Sequence, residues 1–452
     1  MKRLQAATLG LLNATALAIP VWAEEKLSPG GGPDVAEDTY VSSRNALIEF
    51  YSEKDHLLSD WGGVRTRLVE CGIHFQSGYL GEVMGNLSGG LKRGAVYEGL
   101  FEAGVTFDLE KLTGAWRGGF VRASMLYPHG KSPSGELIGD LQTASNIDAY
   151  DSVALYEWWF EQNLWQDRVS LRLGQQLADQ DFATTASGGL FLNSSFGWPA
   201  FISGNTLNTG PAFYRAALGA RLSFEPVKNL YLQSGVYDGD TFDNRTGSPK
   251  KNPHGTNIRL SANQGAFAIA EAGLRLNHEK DAPWLPGTYK IGGWLHTAEF
   301  EDVLNPSQAH GENFGAYLAI EQNVWREAKN EEGFDQGLSA FFRTGLSPGD
   351  RNLFSFTFDS GINYTGLIPG RDGDTLGVGV AFVRISDDVR RAERAAGAGI
   401  ISDYELALEV TYEFLLTSWW SVQPDFQWIQ HPGGSRALDD AFVLGLRTRI
   451  TF

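Results

Sequence analysis

The chain has 452 residues, of which 42% are apolar and 12% aromatic, with 13 Trp and 54 Gly. That glycine share is well above the usual value of roughly seven in a hundred. A single cysteine, Cys71, excludes a disulfide scaffold and any Cys-based zinc module. A formal charge of −17 argues against a nucleic-acid partner, because phosphate contact needs a basic face.

The first 23 residues carry Lys2 and Arg3, then an uncharged stretch from Leu4 to Ala23 that ends in Val21-Trp22-Ala23 before Glu24-Glu25. This is the layout of a secretory signal peptide cut after Ala23. Residues 24–58 are polar, hold Ser28-Pro29-Gly30-Gly31-Gly32-Pro33, and read as a flexible N-terminal tail. Asp60-Trp61-Gly62-Gly63 is a turn, and a short helix is expected at about 64–71, stopped by Gly72.

From Ile73 to Phe452 the hydrophobic period becomes two. In Tyr404–Phe414 the even positions are Tyr, Leu, Leu, Val, Tyr and Phe, while Glu405, Glu409, Thr411 and Glu413 fall among the odd ones. In the last segment Phe442, Leu444, Leu446, Ile450 and Phe452 share a face opposite Arg447 and Arg449. Sixteen such segments follow one another: about 73–84, 95–108, 115–127, 151–162, 168–177, 212–226, 229–238, 266–278, 288–298, 313–325, 336–346, 353–363, 374–386, 403–414, 419–430 and 439–452. They exceed the five or six residues common in soluble strands. Short connections alternate with long ones at 128–150, 178–211, 239–265, 299–312, 387–402 and 431–438. Trp158-Trp159, Trp165, Trp284, Trp325, Trp419-Trp420 and Trp428 lie near segment ends, as in an aromatic girdle. The expected fold is therefore all-β: a transmembrane antiparallel β-barrel of sixteen strands spanning 59–452, integral to a bacterial outer membrane, with one long loop, 178–211, folded inward. Phe182, Phe191, Phe196, Trp198 and Phe201 on that loop would lie against the solute path.

Several stretches resemble the carbohydrate-selective outer-membrane porins of the OprB family. They are Asp60-Trp61-Gly62-Gly63 with Arg65 and Leu68, Tyr156-Glu157-Trp158-Trp159-Phe160-Glu161-Gln162, and Leu171-Arg172-Leu173-Gly174-Gln175. The most specific is Gln423-Pro424-Asp425-Phe426-Gln427-Trp428-Ile429-Gln430-His431-Pro432-Gly433-Gly434, followed by the terminal strand. The resemblance covers roughly 58–452 and departs at His431, where Asn is common, and in the 239–265 loop. It implies a water-filled barrel that passes glucose and other small sugars passively, with barrel-assembly machinery reading the final Phe452 and with outer-membrane lipid around it. A homo-oligomer is compatible with it.

Sugars are neutral and rich in hydroxyls, so a selective pore needs many donors and acceptors with little net field. By the alternation, inward candidates are Glu98, Glu102, Arg122, Glu157, Glu161, Arg172, Arg215, Arg221, Glu271, Arg275, Glu321, Arg343, Arg384, Glu405, Glu409, Gln423, Asp425, Gln427, Arg447 and Arg449. Glu157, Glu161, Arg172, Arg215, Glu409, Gln423, Asp425, Gln427, Arg447 and Trp198 are the preferred sugar contacts. His278, His296 and His310 are too far apart for a local metal site, and no cofactor is expected. Asp238-Gly239-Asp240 reads as a solvated outer loop, and Gly377 and Gly379 as relief of crowding in the wall. No catalytic motif is found, so an enzyme is not expected. A general porin for small polar solutes and an outer-membrane barrel hydrolase remain as alternatives.

Overall fold

In the computed structural model, residues 56–242, 248, 251–279, 282–327 and 336–452 are described. The segment read as a signal peptide and nearly all of the 24–58 tail lie outside them.

Helix α1 spans Val64–Glu70, within a residue of its expected span. The barrel strands are β1 Ile73–Ser88, β2 Gly94–Asp108, β3 Gly119–Gly130, β4 Ala154–Leu164, β5 Val169–Gln176, β6 Ala217–Val227, β7 Leu230–Asp238 and β8 Ala266–Leu276. They continue as β9 Gly287–His296, β10 Asn313–Arg326, β11 Gly337–Leu346, β12 Phe354–Thr365, β13 Thr375–Ile385, β14 Tyr404–Thr417, β15 Trp420–Gln430 and β16 Ala441–Thr451. Each is antiparallel to its sequence neighbours, and β16 returns beside β1 to close the sheet, with Tyr79 opposite Ile450 and Glu82 opposite Arg447. Closure leaves no edge, which is what lipid demands, because an unpaired backbone group there has no water to turn to. Residues Phe300–Glu301 and Ala309–His310 form a separate two-stranded ladder on an outer loop.

One face of each strand meets lipid. On β16, Phe442, Leu444 and Leu446 are exposed while Val443 and Arg447 are buried. Tyr404–Phe414 follows the expected parity, with Glu405 and Glu409 enclosed. Trp116, Trp165, Trp284, Trp325 and Trp420 are exposed and sit at the end of the short turns. That end also holds both ends of the barrel chain. There Arg65 Nη2 donates to the Phe452 carbonyl at 2.8 Å, and Leu57 N–H donates to the Thr451 carbonyl at 2.8 Å, so the N-terminal segment is fastened to the closing strand.

Four expectations are corrected. Arg384 faces outward, exposed and paired with Asp387 at 3.2 Å, because Val383 and Ile385 turn inward to pack on loop residues Leu141 and Ala200. Arg215 precedes its strand rather than lying on it, since β6 begins at Ala217. Trp159 belongs to the inner face with Glu157 and Glu161, not to the girdle. Asp240 is buried and accepts from Asn208 Nδ2 at 2.5 Å, so this part of the 239–265 loop is packed rather than solvated.

Two loops occupy part of the interior. Residues 131–153 and 177–216 both fold into the barrel, although only the second was expected to. Phe191 and Phe196 pack on Phe341 and Ala381 of the wall, and Phe182, Trp198, Phe201 and Ile202 join Tyr237, Phe267, Trp294 and Tyr317 in a larger cluster. Wall glycines make the room. A Cβ on Gly345 would stand 2.2 Å from Phe201, and one on Gly379 would stand 2.8 Å from Phe191. Gly377 is similarly crowded by Leu190, as the sequence reading held for both Gly377 and Gly379.

Candidate functional site

Strand alternation places two sets of polar side chains in the lumen. The first is an arc across β2–β6. Arg122 of β3 bonds Glu157 of β4 through Nε at 3.2 Å and Glu102 of β2 through Nη2 at 3.3 Å. The same guanidinium reaches Gln76 at 3.0 Å and Thr106 at 3.3 Å. Arg172 of β5 bonds Glu161 at 2.7 Å and Asp181 of the inward loop at 3.1 Å. Arg221 of β6 shares both carboxylates, at 3.1 Å to Glu161 and 3.6 Å to Asp181. Three arginines thus alternate with Glu102, Glu157, Glu161 and Asp181. The Arg172 guanidinium lies 4.6 Å from the Trp159 ring centroid, which fixes its plane against an aromatic face. The Trp159 indole N–H also donates to Glu157 at 3.1 Å, which orients that carboxylate. Such a row presents both donors and acceptors while its charges nearly cancel.

The second set runs round the rest of the wall and holds the loops by their backbones. Glu405 accepts from Leu141, Gln142 and Gly433 N–H at 2.8 Å each. Glu409 accepts from Leu192 at 2.5 Å and Asn193 at 2.9 Å. Gln423 donates to the Leu190 carbonyl and Gln427 to the Ala144 carbonyl, both at 2.7 Å. Arg447 bonds Glu82 at 2.6 Å and donates to Asn146 at 2.6 Å. Glu271 takes Ala183 N–H and the Tyr231 and Tyr317 hydroxyls, each at 2.8 Å. Glu321 takes Ala186 and Ser187 N–H at 3.0 and 2.6 Å. Arg343 of β11 donates to the carbonyls of Ala183, Gly197 and Ser195, all at 2.7 Å, while Asp359 holds its Nε at 2.8 Å. On the inner loop itself, burial pushes the Asp148 carboxyl up to about 7, against the Ser132 hydrogen bond that favours its ionised form.

The preferred sugar contacts therefore divide. Glu157, Glu161 and Arg172 come together in the arc. Glu409, Gln423, Gln427 and Arg447 clasp the loops, and Asp425 lies beside Gln427, accepting from it at 3.0 Å. Arg215 sits higher, donating to the Pro253 carbonyl at 2.5 Å and stacking over Tyr150 at 4.9 Å. Trp198 is 1% exposed, and its indole N–H donates to the Thr209 carbonyl at 2.9 Å, so its ring is enclosed by the loop. Asp181, Gln76 and Trp159 were missed as members of the arc. Parity would have found Trp159, two residues from both Glu157 and Glu161; nothing local marks Asp181.

A family model for the carbohydrate-selective porin, OprB family, matches residues 92–452. Porin B of Pseudomonas aeruginosa is 27% identical over 451 residues, covering 91% of this chain and 94% of that one. The putative porin QuiX of Acinetobacter baylyi is 24% identical over 436 residues, covering 89% and 95%. The high-pH structure of Pseudomonas putida OprB superposes with a TM-score of 0.78 at 24% identity, over 89% of this chain and all of that one, a likeness of fold. With sixteen strands closed round a polar lumen and four-fifths of its length matched to the family, the chain belongs to the carbohydrate-selective porins of the OprB family, which places it in the outer membrane as a sugar-selective channel.

Proposed function

We propose that glucose and other small neutral sugars diffuse passively past the β2–β6 arc, which Asp181 of the inward loop completes. The observation that carries this reading is the interleaving of Arg122, Arg172 and Arg221 with Glu102, Glu157, Glu161 and Asp181 beside the Trp159 ring. Vicinal hydroxyls each donate and accept, so a sugar exchanges its water for this row at small cost, whereas an ion of either sign meets as much repulsion as attraction. Around this channel we further propose removal of residues 1–23 on export, insertion by the barrel-assembly machinery and compatibility with a homo-oligomer.

The test is Arg172→Ala in reconstituted liposomes. Losing charge-assisted hydrogen bonds of roughly 1.5–3 kcal/mol should lower sugar affinity by up to about two decades, while small-cation conductance stays level or rises. If glucose flux at low concentration and sugar block of current both match the unmodified channel, the arc is wall and the path lies elsewhere.

A further inference from the structure

Outside the lumen, the outer end of the barrel carries a recess of about 350 Å³ lined by Arg390 and Arg394 of the helix Asp387–Ala395, by Gly399, Ile400, Ile401, Ser402 and Asp403, and by Arg436 of the β15–β16 connection. We propose that it binds a phosphomonoester group.

Three guanidiniums from two separate loops converge there, on a chain of net charge −17. The nearby acids are already engaged. Asp387 is held by Arg384 and Arg390, both at 3.2 Å, and Asp403 by Arg390 at 3.4 Å. Asp388 pairs with Arg391. Glu393 accepts from the Ser402 N–H and hydroxyl, each at 2.7 Å. Arg394 and Arg436 have no acidic partner among the described residues, and the Nε of Arg390 is buried without an acceptor. Nor is Arg394 needed to cap its helix. The last carbonyls already accept from Ala396, Gly397 and Ala398 at 2.9, 3.0 and 3.0 Å.

A tetrahedral dianion matches this donor set. Guanidinium forks bind phosphate oxygens in pairs, and two or three of them neutralise its charge. Ile400, exposed beside the arginines, offers an apolar surface to the carbon skeleton that carries the phosphate. That skeleton belongs either to a membrane glycolipid headgroup or to a free phosphorylated solute; the phosphate chemistry is common to both.

The full chain, folded in an uncharged detergent, is titrated calorimetrically with inorganic phosphate. In a second arm it is reconstituted into phosphatidylcholine vesicles with and without phosphatidic acid, and its unfolding temperature is read. Both arms are repeated on R394Q/R436Q. These two side chains are exposed and make no hydrogen bond or ion pair among the described residues, so heat-modifiable migration should be unchanged. R391Q, whose guanidinium already serves Asp388, is the control that should keep binding. Phosphate binding weakened about tenfold or more in the double variant supports the proposal with a free solute as source. Stabilisation by phosphatidic acid alone, lost in the double variant, supports it with a lipid source. No response in either arm, or an equal response in the double variant, overturns it.

Discussion

Replacing Arg343 by Gln removes a side chain that grips the inward loop at three points. Its guanidinium donates to the carbonyls of Ala183, Ser195 and Gly197 at 2.7 Å and pairs with Asp359 at 2.8 Å, with no exposed surface of its own. The glutamine amide carries two N–H donors, so at least one of those three carbonyls loses its donor and Asp359 loses its cation. At roughly 1.5–3 kcal/mol for each charge-assisted bond, two lost bonds cost about 3–6 kcal/mol. Water entering the loosened lumen satisfies part of this, so the lower end applies. About 3 kcal/mol raises the population of the released loop roughly two orders of magnitude. The barrel strands keep their own ladders, so the protein should still migrate as a folded barrel. Single-channel conductance should rise and become noisier, and liposome swelling should admit neutral sugars larger than those the unmodified channel passes. Unchanged conductance and an unchanged size limit in a folded variant would refute the idea that this grip sets the aperture.

Gly379→Val should act on the same loop from the other side, since its Cβ meets Phe191 and Phe196 at 2.8 Å; the altered size limit in liposome swelling is the readout. Deleting Phe452 removes the carbonyl that Arg65 holds at 2.8 Å and the N–H that donates to Ser77 at 3.0 Å, and should lower the yield of folded barrel in outer-membrane fractions. Asp148 has its folded-state value raised to about 7 by burial, against roughly 3.9 unfolded, so its contribution to stability is full below about pH 4 and is lost as pH rises through 7. Asp148→Asn should flatten that slope between pH 4 and 8 in thermal melts followed by gel migration.

The strands were legible because lipid enforces a strict alternation along more than ten residues at a time, as in Tyr404–Phe414. The rule that apolar side chains face lipid fails where the lumen is itself packed. Val383, Ile385 and Phe354 point inward to meet loop residues, and that inversion turned Arg384 the wrong way in the sequence reading. The aromatics of 178–211 were recognised as a group but not as packing residues, since their sockets are glycines on distant strands, such as Gly345 for Phe201. The 131–153 loop gave no inward signal because its anchor, Glu405, lies more than 260 residues downstream of Leu141. Glu157, Glu161 and Arg172 were found because they sit on strands, where position alone decides facing.

The wall grips its insert by main-chain atoms. Glu405, Glu409, Glu271 and Glu321 all receive peptide N–H groups, and Arg343, Gln423 and Gln427 all reach peptide carbonyls. Every residue except proline offers both groups. The fastening is thus indifferent to what the loop spells at those points, and side chains that neither fill a glycine socket nor pair with the wall are free to be rewritten without unseating the insert. A scaffold of this kind can be retuned for a new solute by editing a few loop letters while its sixteen strands and their sockets stay as they are.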